Sequence, residues 1–334
     1  MIVVYAMSLI VPAMAFSGCD TRREIFEDQS IWVRVRLNWT PADIVPEGTS
    51  IYFYPHEQGR QPVVLLTNDM LDSIRLPKGN YSVLAFNETV NGHDHISFRG
   101  TDKYDTFEAY ASTPVTFSGR YAKSSGAPAV AVPDILAAAH LDRFDVTREM
   151  VLQDMRPTVE LTPRRLLSKL FVTIHIKGLD NCSKSGHVAS IGGMAESVYL
   201  ATETVGSVPV THYFTLNNRT FYPGSETDGT MSATFETFGL ADMPLTMQPA
   251  NVRNMLSLYF RLRDGSDFPV IEQDVGDFIV REEGTMQMRL ILTVGNTGNP
   301  AVVLPDVPDI SEDSGFTADV DDWGEQEEVP VPLE

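Results

Sequence analysis

His93 and His95 flank Asp94 in Asn91-Gly92-His93-Asp94-His95 and form the only close pair among the seven histidines of the chain. Two imidazoles and a carboxylate are donor types that zinc accepts. Gly92 and Asp94 are turn formers, however, and no further ligand set stands out, so the stretch reads as a solvated hairpin loop rather than a metal site. A second candidate is Thr101-Asp102-Lys103-Tyr104-Asp105-Thr106-Phe107-Glu108-Ala109-Tyr110. Asp102, Asp105 and Glu108 could supply the acid pair of a glycosidase, but that chemistry depends on a separation in space that chain spacing does not give. Tyr104, Phe107 and Tyr110 could stack on a sugar, although aromatic residues of β proteins more often pack in the core or across strands. Cys182 follows Asp180-Asn181 in a turn. No paired base marks it as a nucleophile, and it reads as a small structural residue. Asp319-Val320-Asp321-Asp322-Trp323 could hold calcium weakly and reads more simply as solvating charge. There is no G-x-S-x-G elbow, P-loop, H-E-x-x-H or strand-linked G-x-G-x-x-G. The expectation is therefore a binding protein, not an enzyme, that needs no cofactor and no metal.

The remaining cysteine has a different setting. Ile2 to Phe16 is almost wholly apolar and ends in Phe16-Ser17-Gly18-Cys19, with polar chain from Asp20. An export signal has about 7–15 apolar residues, whereas a membrane-spanning helix needs about 20. Residues 1–18 therefore read as a signal segment. Small residues before a cysteine at this point resemble the bacterial lipobox, in which the cysteine receives a diacylglyceryl group and becomes the mature N-terminus. The resemblance makes Cys19 the lipidation site. The usual leucine three residues before the cysteine is Phe16 here. No Lys or Arg precedes Cys19, which leaves room for a start upstream of Met1. With Cys19 acylated, Cys182 has no partner for an intramolecular disulfide. An exported chain without disulfides must hold itself together by apolar burial, and 334 residues suffice for two ordinary cores.

The formal net charge is −20, from 45 acids and 25 bases. That balance excludes nucleic acid as a partner, since phosphate binding needs clustered Lys and Arg. It also argues against binding to anionic lipid heads. Ser311 to Glu334 holds nine acids and no base, so about half the excess sits in an acidic tail.

The elements that carry these residues alternate with period two, the mark of half-buried strands. In Ile31 to Trp39 every odd position is apolar, while Arg34, Arg36 and Asn38 occupy even ones. Similar runs occupy Ile51–Tyr54, Val63–Thr67 and Tyr81–Asn87, the last after a Pro77-Lys78-Gly79 turn. Later runs are Leu170–Lys177, Val198–Thr202, His212–Leu216, Met231–Phe238, Met255–Arg263 and Met286–Val294. In the final two, Leu256, Leu258, Phe260 and Leu262, and then Met286, Met288, Leu290, Leu292 and Val294, share a face. Short connector helices are expected at Pro133–His140 and Pro163–Lys169. The fold class is all-β, with two tandem antiparallel β-sandwiches. The expected organisation is a signal segment at 1–18, a linker at 19–29, sandwiches at 30–160 and 161–310, and the acidic tail at 311–334.

Several stretches, in order, resemble a known family. They are the lipobox, the Arg-rich strand ending in Asn38-Trp39, Ile51-Tyr52-Phe53-Tyr54-Pro55, and Leu76-Pro77-Lys78-Gly79-Asn80-Tyr81-Ser82-Val83-Leu84-Ala85-Phe86-Asn87. Phe98-Arg99-Gly100-Thr101-Asp102 and Tyr104–Ala111 follow. Val172-Thr173-Ile174-His175-Ile176-Lys177-Gly178-Leu179, Gly192-Gly193-Met194-Ala195-Glu196-Ser197-Val198 and Val320-Asp321-Asp322-Trp323-Gly324 complete the set. Together they look like the fimbrillin-related lipoproteins of Bacteroidales, in particular the minor-fimbrium anchor type. The resemblance implies transthyretin-like sandwiches, an outer-membrane, cell-surface location through Cys19, and fimbrial subunits as partners, joined by strand exchange. It also implies a chain not clipped after arginine, so that Arg22-Arg23 and Arg164-Arg165 are not processing sites. The C-terminal Val329-Pro330-Val331-Pro332-Leu333 suits only an edge position, because each proline removes a ladder donor. A surface glycan-binding lipoprotein is the alternative, with Tyr104 and Tyr110 as its contacts.

Overall fold

The computed structural model describes residues 30–115, 128–241, 254–284 and 287–308. Cys19, the signal segment, Met286 and the acidic tail lie outside the described residues. The chain forms two compact units. The first draws on residues up to 110, 135–166 and 198–204; the second draws on 111–134, 167–197 and the chain from 205 onward. The chain thus passes between units more than once, which a single cut after residue 160 does not describe. Alternation marks a strand but not the sheet it joins.

In chain order the strands are β1 (Ser30–Leu37), β2 (Thr49–Pro55), β3 (Val63–Thr67), β4 (Leu71–Pro77), β5 (Gly79–Asn87), β6 (Ile96–Arg99) and β7 (Glu108–Ala111). Then come β8 (Ala129–Val130), β9 (Ala137–Val146), β10 (Thr158–Leu161), β11 (Arg164–Arg165), β12 (Ser168–Lys177), β13 (Val188–Ala195), β14 (Ser197–Tyr199) and β15 (Pro209–Thr215). The last are β16 (Asn218–Phe221), β17 (Gly229–Thr237), β18 (Met255–Arg261), β19 (Asp267–Asp274), β20 (Ile279–Glu283), β21 (Met288–Val294) and β22 (Val302–Val303). A single turn of helix, α1 (Arg148–Leu152), starts at Thr147, whose side chain accepts from the Met150 amide at 3.2 Å.

In the first unit, the sheet β10–β1–β4 faces the sheet β11–β9–β5–β2–β3. The core between them takes Ile31, Val33, Val35 and Leu37 from β1, Ile74 and Leu76 from β4, and Val159 and Leu161 from β10. From the other side come Ile51, Phe53, Tyr81, Val83 and Ala85. The odd-numbered face of β1 is buried and its arginines are exposed, as the alternation predicts. At the corner between β4 and β5 the Tyr81 hydroxyl donates to the Pro77 carbonyl at 2.7 Å. Gly79 does not adopt positive φ there, and the tyrosine closes the corner. β5 is buried on both faces, because the three-stranded sheet β14–β7–β6 forms a further layer.

In the second unit the sheets run β16–β17–β12–β21–β20 and β19–β18–β13–β15–β8. Leu170, Val172, Ile174 and Ile176 alternate inward along β12, and Leu290, Leu292 and Val294 do so along β21. Leu256, Leu258 and Phe260 are buried on β18. Met288 shares a face with Leu290 and Leu292 by register but is exposed, at the start of its strand. Most pairings are antiparallel. β1 pairs in parallel with β10, and β12 with β21. Each of these two first strands also has an antiparallel neighbour, β4 and β17 respectively, so both units share one local plan.

Neither expected connector helix forms. Ala137, Ala138 and Ala139 open β9 and are all buried, between β5 and β11. Alanine favours a helix in isolation, but its small side chain also suits a strand packed on both faces, and the neighbours decide. Arg164-Arg165 lies in β11, and the Arg165 guanidinium donates to the Ala42 carbonyl at 2.8 Å.

Candidate functional site

The residues best suited to chemistry, Asp102 to Tyr110, form the loop and strand that cover the second face of β5 and β2. The loop is shaped by Gly100, whose φ of +64° is open to glycine. A Cβ there would lie 2.1 Å from the Thr106 carbonyl oxygen. The Thr106 hydroxyl donates back to the Gly100 carbonyl at 2.9 Å, closing the turn.

Its side chains are used for packing and pairing. Phe107 is fully buried and meets Tyr52, Phe86 and Phe98 edge-on, at centroid distances of 5.3, 5.4 and 5.7 Å. Glu108 is buried and accepts two hydrogen bonds from Arg99, at 2.6 and 2.7 Å. This two-point charge-assisted pair fixes the carboxylate in place. The Arg99 guanidinium also lies 4.7 Å from the Tyr110 ring centroid. The Tyr104 hydroxyl donates to Asp142 at 2.8 Å, and the Tyr54 hydroxyl donates to the Thr101 carbonyl at 2.9 Å. Burial first, then nearby carboxylate, raises the Tyr104 phenol well above its usual value. Burial chiefly does the same for Tyr54, with the charges of Tyr52 and Asp102 adding to it. The structure therefore does not present Tyr104, Phe107 and Tyr110 as one open stacking surface. Glu108 is held by Arg99 rather than poised opposite Asp102 or Asp105.

His93 and His95 sit on the loop between β5 and β6. His93 Nε2 lies 3.2 Å from the Asn87 carbonyl, and its ring packs edge-on against Phe98 at 5.5 Å. Among the described residues no group of three or more His, Cys, Asp and Glu side chains is placed to hold a metal ion. Cys182 is a free, buried thiol after the turn opened by Gly178. Burial pushes it up to about 12, so it stays protonated and unreactive at neutral pH. Cys19 and Asp319–Trp323 lie outside the described residues.

A buried titratable group that alternation alone could have found is His212. It falls on β15 between Val210 and Phe214, all three buried. Its Nδ1 faces the Val130 carbonyl at 3.4 Å, and its Nε2 has no hydrogen-bond partner among the described residues. Burial lowers its pKa from 6.5 to about 4, against a smaller opposing effect of the Val130 and Ala131 backbone.

The chain is similar to a candidate fimbrium anchoring subunit, Fim4B, of Bacteroides ovatus, with 31% identity over 104 residues. That match spans 30% of this chain and 30% of the relative. Among solved structures it is similar to a candidate adhesin from Bacteroides ovatus, with 18% identity and a TM-score of 0.57. That likeness covers 90% of this chain and 100% of the other, and establishes a common fold. The fimbrial anchor protein Mfa2 from Porphyromonas gingivalis aligns at 14% identity and a TM-score of 0.44, over 79% of this chain and 90% of its own. The shared fold and the Fim4B match agree with the fimbrillin-related resemblance read from the sequence. A family model described as a domain of unknown function, DUF5119, matches residues 18–215, more than half of the chain, and the chain belongs to that family.

Proposed function

We propose that this chain is a non-enzymatic, lipid-anchored surface protein that fixes or assembles fimbriae, joined to a fimbrial subunit by β-strand exchange. The observation that carries this reading is the similarity to a relative named as a fimbrium anchoring subunit. Three features support it. The chain is built from sandwiches, and its chemically suggestive residues serve packing. The apolar segment ending at Cys19 supplies a route to the outer membrane. Among the described residues sheet edges are open: β3 ends its sheet, and its Val63-Val64-Leu65-Leu66-Thr67 carries neither charge nor proline to blunt pairing. Val64 and Leu66 are exposed on it. An added strand would gain affinity from main-chain hydrogen bonds and specificity from alternate side chains.

The anchor has a direct test. One acyl chain binds a membrane only marginally, and stable attachment takes two or more. Metabolic labelling with a palmitate analogue should mark the wild type and not Cys19→Ser, and the variant should leave the membrane fraction. Equal labelling of both would remove the lipid from the account.

A further inference from the structure

We propose that the outer face of the β10–β1–β4 sheet is a membrane-contact surface that lies against phosphate-bearing lipid headgroups. This rests on the reading of Cys19 as the lipid anchor. Paired residues of neighbouring strands project from the same side of a sheet. On this sheet Trp32 pairs with Arg75, Arg34 with Ser73 and Arg36 with Leu71. On the other side Arg34 pairs with Thr158 and Arg36 with Glu160. The face turned away from the core therefore displays three arginines, a tryptophan and a leucine against one acid, Glu160.

The fold does not require that composition. Trp32 is 45% exposed and Leu71 is 54% exposed. The Arg75 guanidinium lies 5.9 Å from the Trp32 ring centroid. Arg36 meets Glu160 at 3.1 Å, but both side chains are more than half exposed, so the pair is weak and open to exchange. No carboxylate among the described residues pairs with Arg34 or Arg75. Guanidinium groups bind phosphate through two parallel hydrogen bonds, and tryptophan concentrates at the headgroup level of bilayers.

The net charge of −20 argues against this partner only if the charges are averaged over the chain. At physiological salt, fields die away within about 8 Å, so a surface responds to its own residues. Nine of the acids sit beyond residue 310, away in sequence from this sheet. Position completes the argument. Ten residues separate Cys19 from Ser30, the first residue of β1. They span at most about 35 Å when extended, so an acylated Cys19 holds this sheet close to the bilayer.

The test uses the processed chain, residues 19–334, carrying Cys19→Ser, so that no lipid contributes. It should sediment with vesicles of equal parts phosphatidylglycerol and phosphatidylcholine at low ionic strength, but not with phosphatidylcholine alone, and salt should release it. Each arginine near an anionic surface is worth roughly fivefold in binding, so loss of the three positive charges alone weakens binding about a hundredfold, and R34E/R36E/R75E, which also adds three negative charges, should bind more weakly still. R34K/R36K/R75K should keep most of the binding, and unchanged thermal melts would show that all variants fold. The proposal is overturned if the wild type ignores the anionic vesicles, or if the Glu variant binds them equally. It is also overturned if the face proves to bind a purified fimbrial subunit and not vesicles. None of these results depends on acylation, so the anchor reading would survive them.

Discussion

Replacing Phe107 with alanine should destabilise the first unit by about 3–5 kcal/mol, the cost of emptying a large aromatic site in a core. Its ring is fully buried and touches three other aromatic rings, each edge-on. Such pairs add about 0.5–1.5 kcal/mol each beyond area burial, and their loss compounds the cavity. Tyr110→Ala, by contrast, removes a half-buried ring under Arg99 and should cost about 1 kcal/mol. Urea denaturation followed by circular dichroism measures both. The ranking also bears on the sugar-stacking alternative. If Phe107→Ala proves neutral for stability and instead abolishes binding to a polysaccharide, the packing account of this loop is wrong.

The second large effect depends on pH. His212 has a pKa near 6.5 in the unfolded chain and about 4 in the fold. The folded state therefore resists a proton that the unfolded state accepts. Its contribution to stability is intact above pH 6.5, declines as pH falls through the window, and is lost below about pH 4. A shift of this size corresponds to about 3 kcal/mol across that interval. His187, also lowered chiefly by burial, acts in the same direction. His212→Asn keeps a donor near the Nδ1 position facing Val130 and removes the titrating ring. The variant should be less stable at pH 7 because of the smaller side chain, yet show a clearly flatter stability profile between pH 6.5 and 4. Parallel profiles for variant and wild type would assign the acid sensitivity elsewhere.

Both effects illustrate what the sequence carries and what it leaves open. Strands with one buried face were legible because alternation reports the solvent boundary directly. β1 and β12 follow it residue by residue, and β18 departs from it only at Tyr259, which is buried between Leu258 and Phe260. β9 was not legible, since Ala137 to Ala139 face protein on both sides and show no alternation. The helix α1 is a single capped turn, too short for a 3.6-residue period to emerge. Interleaving of the two units depends on long-range pairing, such as β1 with β10, that no local pattern encodes. At the candidate site, residue types alone did not distinguish a carboxylate used for chemistry from one used for pairing. The distances from Arg99 to Glu108 make that distinction. The arginines of β1 were visible as a solvent face, but Arg75 joined them only through register.

On the proposed function, this protein ties a fimbrial polymer to the cell. Affinity purification of a tagged wild-type chain from detergent-solubilised native membranes, with the captured material identified by mass spectrometry and viewed by electron microscopy, tests it most directly. A fimbrial subunit in polymeric form should co-purify, with the chain at one end of each filament. Captured chain with no associated polymer, from cells that bear fimbriae, would contradict it.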